Sequence, residues 1–204
     1  MFVLGLTGSI GMGKSTAADM FRAMGVPVHD SDATVHALLA SDRDIREAIA
    51  ERFPGAVREN GVDRQALGKA VFGDADARHD LERILHPRVR TSAEMFVRRH
   101  RQLGVSLVVL DIPLLYETGG EERVDAVVVV SAPAFLQRKR VMARPGMDEA
   151  RFAGILASQM PDREKRRRAD FVVETGLGKA YTFACLKRIV SAIRAAQSGS
   201  REIL

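Results

Sequence analysis

Short apolar runs alternate along this chain with longer segments of helical periodicity. Phe2 to Leu6 reads as a buried strand, and Lys14 to Met24 as a helix whose apolar stripe is Ala17, Met20, Phe21 and Met24. Gly25 ends that helix, "VPVHD" is a short second strand, and a helix over Ala33 to Leu39 follows. A strand, helix, strand order of this kind predicts a parallel α/β sheet. From about Ser41 to Arg101 the pattern is almost wholly helical, in "DRDIREAIAERF", "DRQALGKAVF" and "DARHDLERILHPRVRTSAEMFVRRHRQ". Strand character returns in "VSLVVLD" and "RVDAVVVVSA", runs too short and too β-branched for core helices. Two short helices, "PAFLQRKRVMAR" with Pro133 in its first turn and "GMDEARFAGILASQM", precede the charged "PDREKRRR", whose "REKRRR" run reads mostly as surface, with contact to an anion as the alternative. "ADFVVE" is the last strand, and a helix from about Lys179 to Ala196 leads into a polar tail, "QSGSREIL", expected to be mobile. With no internal repeat and no long linker, one α/β core carries a helical insertion and an arginine-rich flap.

Composition narrows the partners. The 204 residues, 46% hydrophobic, suffice for one substantial core. Scarce aromatics and the absence of Trp weaken a reading as a single-strand stacking platform. Lys and Arg number 31 against 26 Asp and Glu, a net charge of +5, which favours small polyanions over duplex nucleic acid. The single cysteine, Cys185, excludes an internal disulfide and multi-cysteine metal sites, and its neighbours mark it as a buried or half-buried structural thiol. No apolar stretch reaches the roughly 20 residues of a membrane span, and no basic region precedes the first apolar run, so a cytoplasmic protein with no membrane partner is expected.

The chemistry enters at "GLTGSIGMGKST". Gly8, Gly13, Lys14 and Ser15 fit G-x-x-x-x-G-K-[ST] between a strand and a helix, as a phosphate-binding P-loop requires. Glycines let successive N–H groups point inward, and the new helix offers its unpaired donors and positive dipole end to phosphate oxygens. Lys14 suits the β and γ phosphates, and the Ser15 hydroxyl can reach Mg²⁺. Lysine at this position speaks against a Rossmann dinucleotide site.

A P-loop alone leaves ATPase, GTPase, transporter subunit and small-molecule kinase open. "HDSD" places Asp30 and Asp32 at the carboxyl end of the second strand. Asp32 there can orient or deprotonate an acceptor hydroxyl, hold Mg²⁺ through water, or cap the next helix. Asp111, ending "LVVLD", is placed as a Walker-B carboxylate or as a strand-end turn residue. Arg138, Arg140 and Arg144 either form a solvated helix face or a flap that meets phosphoryl charge in bidentate geometry. No N/T-K-x-D guanine signature and no transporter motif is present, so a kinase of a small metabolite fits best; the runner-up is a nucleotide or nucleoside kinase, and the non-enzyme alternative a P-loop switch.

In order along the chain, "GLTGSIGMGKST", "GVPVHDSD", "DRQALGKAVF", "LHPRV", "DIPLLYE", "QRKRVMARPGM", "SQM" and "RADFVVETG" resemble the dephospho-CoA kinase family over nearly the whole length. "DIPLL" with Tyr116 and Glu117, combined with Asp30-Ser31-Asp32 and His86-Pro87, is the most specific part. The resemblance implies transfer of the ATP γ-phosphate, with Mg²⁺, to the ribose 3′-hydroxyl of dephospho-CoA, giving CoA and ADP in the last step of coenzyme A biosynthesis. It implies a P-loop, nucleoside-monophosphate-kinase-like α/β/α fold with a five-stranded parallel sheet. The core would comprise 1–40, 104–135 and 169–197, with a helical CoA-binding insertion at about 41–103, a lid at about 136–168 and a tail at about 198–204. A monomer or weak self-association is expected, with no nucleic-acid partner.

Carried over by position, Asp32 resembles the general base, and Lys14 and Arg140 complete the catalytic set. Gly8, Ser9, Ile10, Gly11, Met12, Gly13, Lys14, Ser15, Thr16, Arg144 and Gly176 fall on the nucleotide side. Arg64, His86, Leu115 and Glu117 join Asp32 on the substrate side, and Ser15 with Asp111 on the metal, the latter through water. Without the resemblance, His86 reads as a helix-terminal histidine before a proline, Leu114 and Leu115 as core, and Glu117 as a local cap or ion-pair partner. The chain departs from the family pattern in having Ser9 for a second glycine, Met12 for a serine, and Glu174-Thr175 for the frequent Asp-Asn. The last departure removes the expectation of a side-chain contact to the base there and leaves Gly176 as a close backbone approach.

Overall fold

The computed structural model describes residues 1–58, 61–71 and 73–199. Its centre is a five-stranded parallel sheet of β1 (Phe2–Thr7), β2 (Val28–Asp30), β5 (Leu107–Asp111), β6 (Ala126–Ser131) and β7 (Phe171–Glu174), in the order β2-β5-β1-β6-β7. The register pairs Leu6 with Asp111, Leu4 with Ala126, and Ser131 with Glu174. β5 and β6 are buried at every position, which is why they read as continuous apolar runs. Along β6, Val128 and Val130 pack with Phe21, Leu186 and Val190 from α1 (Lys14–Ala23) and α9 (Lys179–Gly199). The intervening Val127 and Val129 pack on the opposite face with Leu115, Tyr116 and Met160. This two-residue alternation is what gives the sheet a helical or looped layer on each side.

The chain forms two compact units, Met1–His29 with Val97–Leu204, and Asp30–Phe96. The first unit also holds α6 (Ala134–Met142), α7 (Glu149–Ala157) and α8 (Asp162–Arg168). In the second, α2 (Ser31–Ser41), α3 (Arg43–Arg52), α4 (Arg64–Val71) and most of α5 (Ala75–Gln102) surround Leu39, Ile45, Ile49, Phe53, Leu67 and Leu85.

Four local expectations are corrected. The helix expected from Ala33 begins at Ser31, because extended Asp30 accepts the Ala33 N–H on Oδ1 at 2.9 Å and serves as its cap. A two-stranded hairpin, β3 (Val57–Arg58) with β4 (Gly61–Val62), lies within the stretch read as helical; strands of two residues are too short for alternation to be visible. His86 is not helix-terminal, since α5 runs 28 residues with Pro87 inside it. Proline costs about 3 kcal/mol in a helix interior, and here the remaining turns, packed through Leu81, Ile84 and Leu85, outweigh it. The final helix continues through Gly199, three residues past Ala196; the remainder of the tail, 200–204, lies outside the described residues.

Candidate active site

The P-loop joins β1 to α1, and its backbone carries the site. Gly11 and Gly13 have φ of 75° and 92°, the left-handed region that a side chain resists, while no described non-glycine residue has positive φ. Ser9 and Met12 therefore fit the loop without strain. Gly8 is required for a different reason: a Cβ there would lie 2.6 Å from Val130 Cγ2 and 2.7 Å from Val130 O on β6. Gly8→Ala is expected to push the loop off the sheet, destabilising the protein by about 1–3 kcal/mol and weakening ATP binding; thermal unfolding with and without MgATP measures both.

The outer side of the loop is tied down by side chains from elsewhere in the same unit. Gln137 Nε2 donates to Ile10 O at 2.8 Å, and the Ile10 N–H donates to Gln159 Oε1 at 3.0 Å. The Thr175 hydroxyl donates to Met12 O at 2.7 Å, and Met12 Sδ accepts the Ala132 N–H at 3.1 Å. Among the described residues the N–H groups of Gly11 and Gly13 have no partner, although Gly11 is buried. Unpaired buried donors at the start of a helix are what an anion's oxygens satisfy.

Lys14, the first residue of α1, places Nζ 2.6 Å from Asp111 Oδ1 at the carboxyl end of β5. The lysine side chain is 15% exposed and the aspartate 3%, so the pair sits largely out of water, where a charge is held only by a charge or a ligand. Asp111 thus stands beside the P-loop rather than in a simple strand-end turn. Ser15, one residue on, is exposed, and Thr16 half-buried. A Mg²⁺ bound mainly through phosphate oxygens needs one or two hard oxygen donors of this sort, and Ser15 with Asp111 fits that requirement.

The three arginines of the flap are used differently. Arg138 pairs with Glu149. Arg140 donates to Gly11 O at 3.3 Å, to Thr175 Oγ1 at 3.0 Å and to Thr175 O at 2.9 Å, so it stands against the P-loop. Arg144 is exposed with no ion pair among the described residues. Gly176 follows Thr175, and a Cβ on it would lie 2.8 Å from Pro133 Cδ; the close approach it permits is to the start of α6.

After β5, "PLLYE" turns back beneath the sheet. Leu115 is fully buried in the cluster with Val127 and Val129. Burial pushes the Tyr116 hydroxyl up to about 12 and keeps it neutral, and its oxygen has no hydrogen-bond partner. Glu117 Oε1 accepts the Met160 N–H at 2.8 Å and meets Lys165 Nζ at 2.8 Å. Lys165 is the exception in "REKRRR", a run that is otherwise mostly surface: its side chain is 0% exposed. Residues 162–168 form α8, and one residue of that turn must face inward. The neighbouring arginines remain at least partly exposed in ion pairs, Arg166 with Glu174, Arg167 with Glu164, and Arg168 with Glu121 while lying over the Tyr116 ring.

In the helical unit, Asp32 occupies the first turn of α2, exposed and without a hydrogen-bond or ion-pair partner among the described residues. Asp30 holds the capping position, so the capping alternative for Asp32 falls away. Arg64 opens α4 and donates to His36 Nε2 at 2.7 Å, and His86 is half-buried on α5. Cys185 is half-buried on α9 with Arg188 donating to its sulfur at 3.3 Å.

Sequence reasoning did not single out Gln137, Gln159 or Lys165, and it marked Thr175 only as a departure from the family pattern. For Gln137 a signal existed: it lies four residues before buried Val141, on the inward face of α6, where a polar side chain must find a partner.

A parallel sheet with this strand order, a glycine loop between β1 and α1, and a pair between Lys14 at the start of α1 and Asp111 at the end of β5 define a P-loop kinase. The chain matches the family described as Dephospho-CoA kinase over residues 2–178. It belongs to that family. A dephospho-CoA kinase of Mesorhizobium japonicum is 55% identical over 201 residues, covering 98% of this chain and 100% of its own. That of Paramagnetospirillum magneticum is 58% identical over 194 residues, covering 95% and 92%. A crystal structure from Thermus thermophilus, 37% identical, aligns with a TM-score of 0.80 over 94% of this chain and 96% of its own. No helix among the described residues is long and apolar enough to cross a membrane.

Proposed function

We propose that this chain transfers the γ-phosphoryl group of ATP to the ribose 3′-hydroxyl of dephospho-CoA, giving CoA and ADP. ATP-dependent phosphorylation of dephospho-CoA is the activity its family membership carries. The observation that bears most weight is the pair of unpaired N–H groups at Gly11 and Gly13, opening beside Lys14.

In this reading Gly8 through Thr16 cradle the triphosphate, and Lys14 leaves Asp111 for the β and γ phosphates. Ser15 and Asp111 would hold Mg²⁺, Asp111 through water, and the ion when bound would offset negative charge on the phosphates. Asp32 orients the 3′-hydroxyl and takes its proton as the oxygen bonds to phosphorus and the bond to the ADP oxygen breaks. Arg140 and Arg144 meet the charge spreading over the transferring oxygens, with Gly176 on the nucleotide side. Arg64, His86, Leu115 and Glu117 shape the acceptor side, the last two through the packing of "PLLYE".

The test is a panel of acceptors mixed with MgATP and read by ADP release and product mass. Dephospho-CoA is expected to gain one phosphoryl group on the 3′-oxygen, while nucleosides and their monophosphates release no ADP above background. ADP release with a nucleoside and none with dephospho-CoA would reject the assignment.

A further inference from the structure

The P-loop sequence motif says which residues form the cradle but not what aims its donors. In a planar trans peptide the C=O and the following N–H point in opposite directions. A side chain that holds a carbonyl outward therefore turns the next N–H inward. Gln137 holds Ile10 O, and the next N–H is that of Gly11; Thr175 holds Met12 O, and the next is that of Gly13. Both N–H groups are among those of the loop that have no partner among the described residues.

Thr175 is itself held firmly. Its N–H donates to Ser131 O at 2.8 Å and its carbonyl accepts from Arg140 at 2.9 Å. Its hydroxyl has one proton and two acceptors in reach, Met12 O at 2.7 Å and Ser131 O at 3.2 Å, and the shorter contact takes it. A lone pair on the same oxygen receives Arg140 Nη1 at 3.0 Å. The side chain also packs on the loop directly: a Cβ on Gly13 would lie 3.1–3.3 Å from its three side-chain atoms.

We propose that Thr175, with Gln137 as its counterpart, is a positioning residue of the nucleotide site: it aims the Gly13 N–H at the phosphates and keeps Arg140 beside the loop. The inference rests on the assignment of the P-loop to ATP above and extends it to residues outside the motif. Valine has the shape of threonine without the hydroxyl, so Thr175→Val leaves Met12 O without its donor and Arg140 Nη1 without this acceptor. Calorimetric titration with MgADP needs no acceptor chemistry and reads the effect directly. Thr175→Val is expected to bind MgADP about tenfold more weakly. KM for ATP should rise by a similar factor while KM for dephospho-CoA stays within about twofold, and Thr175→Ser should restore both. Gln137→Leu, which unties Ile10 O, should show the same split and serves if the valine variant does not fold. Unchanged MgADP affinity in the folded variants, equal rises in both KM values, or no rescue by serine would overturn the proposal. Failure of the unaltered protein to bind MgADP would instead remove the nucleotide assignment itself, and this inference with it.

Discussion

Asp32→Asn is expected to lower kcat by about 10²–10⁴-fold while leaving KM for ATP within about twofold. Asparagine keeps the size and one hydrogen-bonding oxygen of aspartate but cannot accept the alcohol's proton. The substitution should not disturb the helix, because Asp30 caps α2 and the Asp32 carboxylate has no partner among the described residues to lose. A loose phosphoryl-transfer transition state asks little nucleophilic push, so proton removal comes late and the lower part of that range applies. Steady-state kinetics with both substrates varied is the check. A large rise in KM for dephospho-CoA with kcat unchanged would make Asp32 a ground-state binding residue rather than a base.

Lys165→Ala is expected to destabilise the protein by about 3–5 kcal/mol, the usual loss when one partner of a buried ion pair is removed. The ammonium lies 2.8 Å from Glu117 Oε1 and 3.4 Å from Pro113 O, with no exposure of its side chain. Without it, Glu117 keeps only the Met160 N–H, and its second oxygen already lacks a partner. Pro113 O also accepts the Thr7 hydroxyl at 3.0 Å, so the lysine helps join α8, the segment after β5 and the end of β1. The double change Lys165→Met with Glu117→Gln removes both charges, keeps their volume, and should recover most of the loss. Denaturant unfolding of the single and double variants measures this. A single variant within about 1 kcal/mol of the parent would mean that water reaches the carboxylate and the pair is worth no more than one at the surface.

The contrast between Lys14 and Lys165 shows how legible each part was. Lys14 lies in a motif whose spacing carries a mechanism, so its chemistry could be read before any fold was known. Lys165 lies in "DREKRRR", where charge dominates the local pattern and helix α8 is only seven residues long, too short for an apolar stripe to announce an inward face. His86-Pro87 was misread for a related reason. Proline is a local stop signal, and only packing along the rest of α5 decides that the helix continues.

Local chemistry along the chain was enough for the parallel α/β class, the strands β1, β2, β5, β6 and β7, the P-loop and the candidate carboxylates. Hydrophobic period, glycine placement and motif spacing act within a few residues of one another and survive in one dimension. Tertiary structure alone decided that Asp111 meets Lys14, that Thr175, Gln137 and Gln159 hold the P-loop peptides, and that Lys165 is buried against Glu117. Each of these contacts joins residues 48 or more positions apart, and most lie far further, as with Met12 and Thr175 at a separation of 163. Their existence depends on which face of a helix or strand the whole core turns inward, a choice made by total apolar burial and by the need to pair every buried polar group.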